Sequence, residues 1–363
     1  MNSNGAKRVL IAPLDWGLGH TTRCVLLIGW LRENGHEVVF AGNEWQRNFV
    51  KETYAGNIHC VHLEGYNVHY GKPDSSFMFS LLRQMPTLLK TIRNEHKWLK
   101  EIVRTENIDG IISDNRYGMY HSHVPSVIMT HQLQVQTGMG KGADTMLRPL
   151  HYRYLNRFAE CWVVDMPGEN NLAGKLSAPS ILPQHTAYIG LLSQFEAVLK
   201  EEQHLLILLS GPEPQRTILS NILWEQVKNY DGNVVFVEGS NNVQSHRTTL
   251  SPHISHHHQL TRKSLLPLLQ QASMVVCRSG YSTIMDLVKL GKNAILIPTP
   301  GQTEQQYLAK HLHQSGTFYH LPQPHINLQA ALTDAASFPF RKTTFHNGFN
   351  LYPPVLQRWV AAL

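Results

Sequence analysis

Cysteine is scarce in this 363-residue chain. The four present, Cys24, Cys60, Cys161 and Cys277, lie far apart, mostly in apolar runs, and form no Cys-x-x-Cys pair. That argues against a disulfide framework or a cysteine zinc site and predicts buried free thiols in a reducing compartment. Long apolar runs are missing too, since none reaches the ~18–20 residues that a membrane span needs. Residues 1–7 are polar and lead straight into a strand-like run, without a charged-then-apolar leader. A soluble cytoplasmic protein is the expectation. Neither sign of charge dominates: 32 Lys and Arg against 26 Asp and Glu leave a formal +6, with 22 His counted as neutral. So mild an excess suits an anionic small molecule, an acidic membrane surface or nucleic acid without choosing among them. No repeat of 20–50 residues is evident.

What is present is a globular composition. A hydrophobic share of 42% with 25 Gly and 19 Pro excludes a disordered or fibrous chain. At about 100–200 residues per domain, the length allows two or three domains with their own cores. Short β-branched runs bounded by Gly, Pro, Asp or Asn recur at 8–13, 37–41, 58–63, 110–113, 126–130 and 161–164, and read as buried parallel strands. Between the first two, residues 21–34 keep helical spacing and stop at Gly35, which makes a strand–helix–strand unit. The alternation restarts after about 190. Strands are expected at 205–209, 233–237, 274–277 and 294–298, and helices at 216–228, 265–271, 282–290 and 302–314. Two open parallel α/β domains follow, 1–190 and 191–345, with a helical tail at 346–363 of unassigned packing. Two such sheets facing each other leave a cleft at the carboxyl ends of their strands, so the turns just after strands are where binding residues belong.

Four turns carry chemistry. The first, DWGLGHTTR at 15–23, has Gly17 and Gly19 for a tight bend and His20 at the helix start, where a neutral imidazole can take a proton from a hydroxyl. A plain turn capped by His20 is the competing reading. Thr22 stands where a dinucleotide fingerprint would need glycine. The second, SGPEPQR at 210–216, offers Ser210, Gly211 and Arg216 to a phosphate, although its prolines are also ordinary turn chemistry. In the third, VVCRSGYSTIMD at 275–286, a buried strand breaks at Gly280 and Ser282 and Thr283 begin a helix. Those hydroxyls and bare N–H groups suit a diphosphate, and Asp286 on the expected first turn suits a ribose diol. A capping arrangement would explain the same residues except for the preceding Arg-Ser-Gly. The fourth, PTPGQTEQQ at 298–306, is an amide-rich loop able to read sugar hydroxyls.

In order and spacing these turns resemble the GT-B glycosyltransferases of family 28, related to the enzyme that adds N-acetylglucosamine to lipid-linked muramyl-peptide. The match is densest over 274–316, with a second stretch at 17–44. The resemblance implies two Rossmann-like parallel α/β domains facing across a cleft. The N-terminal one would hold the acceptor and the C-terminal one a nucleotide-sugar, most often a UDP-sugar. It places Ser279, Gly280, Ser282 and Thr283 at the diphosphate, Asp286 at the ribose where the family usually has Glu, and Gln305 and Gln306 at the donor sugar, with Gln302 and Glu304 beside them. Leu260 and Thr261 fall near the base, and His20 at the catalytic base. Arg216 or Arg278 would meet the charge on the leaving group. Asp15, Gly17, Gly19, Asp114 and His131 are the acceptor-side candidates. Transfer with inversion and no metal is the implied activity, domain closure excluding water. No cofactor is expected besides the nucleotide-sugar co-substrate. A nucleotide-sugar hydrolase with a similar Gly-x-Gly-His-x-x-Arg opening, and a non-catalytic nucleotide-sugar-binding subunit, are the rivals.

Two further features are weighed. The run His256-His257-His258 with His253 invites a metal, but consecutive histidines on a regular element cannot all face one ion, and no metal is expected. The stretch 77–104 is amphipathic, interrupted at Pro86, and carries Arg83, Lys90, Arg93, Lys97, Lys100 and Arg104 against Glu95 and Glu101. It suits contact with anionic lipid at the inner face of a membrane and a lipid-linked acceptor, or equally a solvated helix face. A nucleic-acid platform of interleaved basic and aromatic residues is otherwise absent, so no nucleic-acid partner is expected.

Overall fold

The computed structural model describes residues 5–66, 77–136, 140–196, 198, 200–239, 251–341 and 345–363. The chain divides into two units. The first takes in most residues up to Gln194 and ends with His346–Leu363, and the second runs from Phe195 to Phe345.

In the first unit the elements run β1 Arg8–Pro13, α1 Leu18–Glu33, β2 Glu37–Gly42, α2 Glu44–Thr53, β3 His59–His62, α3 Phe77–Thr105, β4 Gly110–Asp114, β5 Ser126–Thr130, α4 Lys141–Leu155, β6 Glu160–Val163 and β7 Thr186–Tyr188. The strands form one sheet in the order β3-β2-β1-β4-β5-β6-β7, parallel throughout. β4 and β5 are buried along their whole length and β1 at all but its first residue, which is why they read as unbroken apolar runs. Leu10, Val39, Ile111 and Ile128 form the centre of the core on one face. Each such fully buried aliphatic side chain contributes about 1.5–3 kcal/mol over an exposed one. The strand order reverses between β1 and β4, which opens a crevice at their carboxyl ends.

The second unit repeats the plan with β8 His204–Leu208, α5 Gln215–Val227, β9 Val234–Val237, β10 Ile254–His257, α6 Arg262–Gln270, β11 Ala272–Cys277, α7 Tyr281–Leu290, β12 Ala294–Leu296, α8 Thr303–Gln314, β13 Tyr319–His320 and α9 Leu328–Ser337. Its parallel sheet has the order β10-β9-β8-β11-β12-β13, with the reversal between β8 and β11. Leu205, Ile207, Phe236, Val276 and Ile295 anchor the core.

The tail finds its place on the first unit. α10, Tyr352–Ala361, sets Trp359 edge-on to Trp162 with ring centroids 5.5 Å apart, and Arg358 pairs with Glu160. Gly110 opens β4 under this helix. A Cβ there would come within 2.7 Å of the Trp359 ring and 2.6 Å of Leu363, so only glycine fits without displacing the tail.

Several sequence expectations change. α3 runs through Pro86 as one helix, so the proline does not interrupt it. α2 was not expected, yet it starts on a reciprocal capping box in which Asn43 accepts from Gln46 N and Gln46 accepts from Asn43 N. Three of the free cysteines are buried and Cys60 is half-buried. Among the described residues no helix is long and apolar enough to cross a membrane.

Candidate active site

In each unit some of the residues singled out by sequence lie at the carboxyl ends of the two strands where the order reverses, while His131 follows β5, Leu260 and Thr261 follow β10, and residues 302–306 follow β12. In the first unit those two strands are β1 and β4, with Pro13 opposite Asp114. Gly17 caps α1 at φ 88°, a left-handed backbone that glycine adopts without strain. Gly19 lies inside the helix, so the bend rests on Gly17 alone. His20 is then the third helical residue and Arg23 stands one turn on, on the same face.

Asp114 is fully buried and draws this face together. Its Oδ2 lies 3.1 Å from His20 Nδ1 and accepts from Arg23 Nε at 2.6 Å, while Arg23 Nη2 donates to its Oδ1. Arg23 Nη1 stands 3.5 Å from Nδ1 of the buried His131. Arg23 Nη2 is also 3.0 Å from His20 Nδ1, so Asp114 and Arg23 compete for one ring nitrogen. A proton on Nδ1 serves the carboxylate and leaves the lone pair on Nε2, whereas a proton on Nε2 turns Nδ1 toward Arg23. The ionised carboxylate is the stronger partner and favours the first tautomer, the one that can act as a base.

Burial pushes the His20 imidazole below its ordinary 6.5; Asp114 opposes that shift and Arg23 adds to it. Burial would raise the Asp114 carboxyl, but Arg23 and His20 together bring it down to about 2. The group is therefore a neutral imidazole held by an ionised, neutralised carboxylate. Sequence reasoning named His20, Asp114 and His131 but assigned Arg23 no role. The signal available was its three-residue spacing from His20.

Asp15 belongs to a neighbouring network. Its Oδ1 accepts from Tyr66 N at 3.0 Å and lies 3.8 Å from Arg116 Nη2. Arg116 is fully buried and pairs with Glu95 at 2.6 Å, and the Tyr66 hydroxyl donates to Glu95 at 2.7 Å. Burial raises the Glu95 carboxyl, against the pull of Arg116 and Tyr66.

In the second unit, β8 and β11 flank the reversal. Gly211 follows β8 at φ 104°, and Ser210 is exposed beside it. Arg216 pairs with Glu213 and donates to the Glu238 carbonyl at 3.2 Å. Past β11, Arg278 corrects its sequence role. It is 1% exposed, and its guanidinium donates to the carbonyls of Ile297, Pro298 and Gln215 and to Gln323 Oε1. It is a strut joining loops, too deep to meet a leaving group. Ser279 is fully buried and donates its hydroxyl to the Gln305 carbonyl at 2.8 Å, so that hydroxyl is committed within the fold.

α7 begins one residue earlier than expected. Gly280 is its N-cap, which as a glycine has no side chain to offer. A Cβ on Gly280 would meet nothing within 4 Å, so the space in front of the helix start is open. Ser282 and Thr283 are half-buried in the first turn, and Asp286 stands in the second turn, not the first. In the amide-rich loop, Gln305 Oε1 accepts from Thr299 N at 2.9 Å and its Nε2 donates to Gln302 Oε1. Both amides thus brace the loop, while Glu304 sits in the first turn of α8 with Gln306 one turn in. Thr261 caps α6 through Ser264 N at 3.4 Å, and Leu260 precedes it half-buried.

Two doubly wound parallel sheets in one chain, with the final helix returning to the first unit, make the GT-B fold. Residues 211–346 match the family model for the glycosyltransferase family 28 C-terminal domain. The chain is similar to a UDP-N-acetylglucosamine–N-acetylmuramyl-(pentapeptide) pyrophosphoryl-undecaprenol N-acetylglucosamine transferase of Natranaerobius thermophilus, 25% identical over 201 residues. That likeness spans 51% of this chain and only about half, 55%, of the relative. An uncharacterised glycosyltransferase of Methanosarcina mazei is 20% identical over 334 residues, covering 85% of this chain and 84% of the relative. Among solved structures, the glycotransferase of kitacinnamycin overlays with a TM-score of 0.68 at 15% identity, over 97% of this chain and 98% of that one. The last likeness shows the fold.

Proposed function

We propose that this protein transfers a sugar from a nucleoside-diphosphate sugar, a UDP-sugar such as UDP-N-acetylglucosamine, to a hydroxyl of an acceptor, with inversion and with no metal on the diphosphate. The observation that carries the reading is the neutral, Asp114-oriented imidazole at the first turn of α1, in a chain whose other unit matches a family 28 domain. His20 Nε2 takes the acceptor proton. The acceptor oxygen bonds to the anomeric carbon as the bond to the diphosphate oxygen breaks, and the electron pair leaves with the nucleoside diphosphate. A single displacement of this kind inverts the anomeric centre.

The open start of α7 supports the donor side. Gly280 at its N-cap brings no side chain and the space in front of it is open, and preorganised donors aimed at developing charge are among the largest contributions to catalysis. Ser282 and Thr283 add hydroxyls there, and Asp286 takes the ribose. A lipid-linked acceptor is the finer reading, drawn from the relative's own acceptor. Its support here is α3, where Lys90, Arg93, Lys97, Lys100 and Arg104 are all exposed. Their spacing of 3, 4, 3 and 4 residues puts them within about 80° of one helix face, a basic stripe suited to an anionic membrane. Arg83's side chain lies outside the described residues.

The test is a screen of UDP-, GDP-, TDP- and CMP-sugars by thermal shift, followed by release of nucleoside diphosphate with and without acceptor. The reading expects stabilisation by one nucleotide class and acceptor-dependent release. Release that ignores the acceptor would make the protein a hydrolase, and no stabilisation at millimolar concentration would remove the donor site.

A further inference from the structure

One cluster of metal-binding side chains stands apart from the groups assigned above. Among the described residues, Glu238, His256 and His258 bring their ligating atoms within 4.8 Å of one another. The fold explains why. β9 and β10 are parallel neighbours with Val237 opposite His257, so Glu238 and His258 leave the two strands side by side. Their backbones stay joined there, Glu238 N donating to the His257 carbonyl at 2.9 Å. Side chains alternate along a strand, so His256 and His258 share one face and His257 takes the other, where its Nε2 lies 3.0 Å from Ser255 Oγ. Three consecutive histidines cannot face one ion, but two can, and a carboxylate 18 residues earlier in the chain supplies the third ligand.

Each imidazole already faces one oxygen of the same carboxylate, and small side-chain rotations would bring the three ligand atoms from within 4.8 Å to the closer spacing of a tetrahedral ion. His256 Nε2 is 3.5 Å from Glu238 Oε1, and His258 Nδ1 is 3.2 Å from Oε2. Ligand atoms held ~2.0–2.1 Å from a tetrahedral centre stand roughly 3.3 Å from one another. The surroundings fit as well. Glu238 is 4% exposed, Ser220 Oγ donates to its Oε1 at 3.3 Å, and Trp224 walls His256 with ring centroids 5.2 Å apart. His258 is half-buried and gives the solvent side. Arg216, the nearby cation, hydrogen-bonds the Glu238 carbonyl and is itself paired with Glu213.

Two imidazoles and one carboxylate form a borderline donor set suited to zinc over magnesium or calcium, with one coordination position left over. We propose that Glu238, His256 and His258 bind one zinc-type divalent ion, its fourth position open to water, and that the ion clamps the carboxyl ends of β9 and β10. It is not the diphosphate metal of a transfer reaction, and the inference stands without that reading.

The experiment titrates chelator-stripped full-length protein with Co2+, read by visible absorption, followed by competition with Zn2+. Wild type is expected to show the intense bands of a four-coordinate site at one equivalent. His258→Gln and Glu238→Gln should each weaken binding by more than about tenfold. His257→Gln, on the opposite face, should leave it unchanged and so discounts adventitious binding by the other histidines. If Glu238→Gln fails to fold, the half-buried His258→Gln still decides. A pale six-coordinate spectrum in wild type, or equal affinity in His258→Gln and wild type, would overturn the proposal.

Discussion

Arg23 and His20 share a single carboxylate: Asp114 Oδ2 accepts from Arg23 Nε at 2.6 Å and lies 3.1 Å from His20 Nδ1. The arginine neutralises the carboxylate that orients the imidazole. Burial is the main cause that holds the imidazole below its ordinary 6.5; Asp114 opposes that shift and Arg23 adds to it. A lone aspartate would pull the ring toward its charged form and spoil it as a base.

The pH dependence follows in sign. The base works when neutral, so the acid limb of kcat should lie below pH 6.5, where the depressed His20 titrates. Replacing Arg23 by Gln removes a contribution that lowers this pKa, and the limb should move to higher pH. Asp114→Asn removes one that raises it, so the limb should move lower, with turnover down by ~10²–10⁴-fold as the tautomer is lost. Full pH–rate profiles of the three proteins check this. A limb that stays put in Arg23→Gln would contradict it.

Asp114 also sets an acid limit on stability. Its folded pKa of about 2 is below the ordinary 3.8, so its contribution is complete above about pH 4 and lost as the pH falls toward 2. A depression of that size corresponds to about 2 kcal/mol. Urea melts of wild type and Asp114→Asn should therefore diverge at pH 6 and converge near pH 2.

Gly280 separates donor binding from folding. Its φ of −73° suits any residue and a Cβ would enter open space, so Gly280→Val should fold, at a cost of only about 1 kcal/mol for the poorer N-cap residue. The added methyls occupy the volume proposed for the diphosphate, and nucleotide affinity should fall by at least about tenfold. Asp286→Ala should cost about 1–3 kcal/mol of the same affinity through lost ribose hydrogen bonds. Calorimetric titration with the nucleotide found in the screen reads both.

Trp359 tests the tail. It is 3% exposed against Trp162, and truncating a buried aromatic to alanine costs about 3–5 kcal/mol. Trp359→Ala should lower the unfolding transition of the first unit and leave that of the second in place.

The central strands were legible because strands buried on both faces must be apolar without interruption, as β1, β4 and β5 are. His20 was legible from its place at the start of the helix after the first glycine turn, and Asp114 from its place at a strand end. Other features were not. An arginine after a strand reads as an anion binder, and only the loops of 297–298 and 215 reveal that Arg278 bonds carbonyls. β13 has two residues, too few for any period to show. The tail's docking joins Trp359 to Trp162, about two hundred residues apart, and no local pattern encodes that. The histidine run at 256–258 reads as no metal site because consecutive histidines cannot all face one ion and no carboxylate stands near them in sequence; Glu238, just past β9, precedes His256 by 18 residues.

The most direct test is His20→Gln, assayed for nucleotide-sugar binding and for sugar transfer on the same preparation. The account predicts binding within twofold of wild type and a loss of transfer of about a hundredfold or more. Transfer at the wild-type rate by a protein that lacks this imidazole would contradict it.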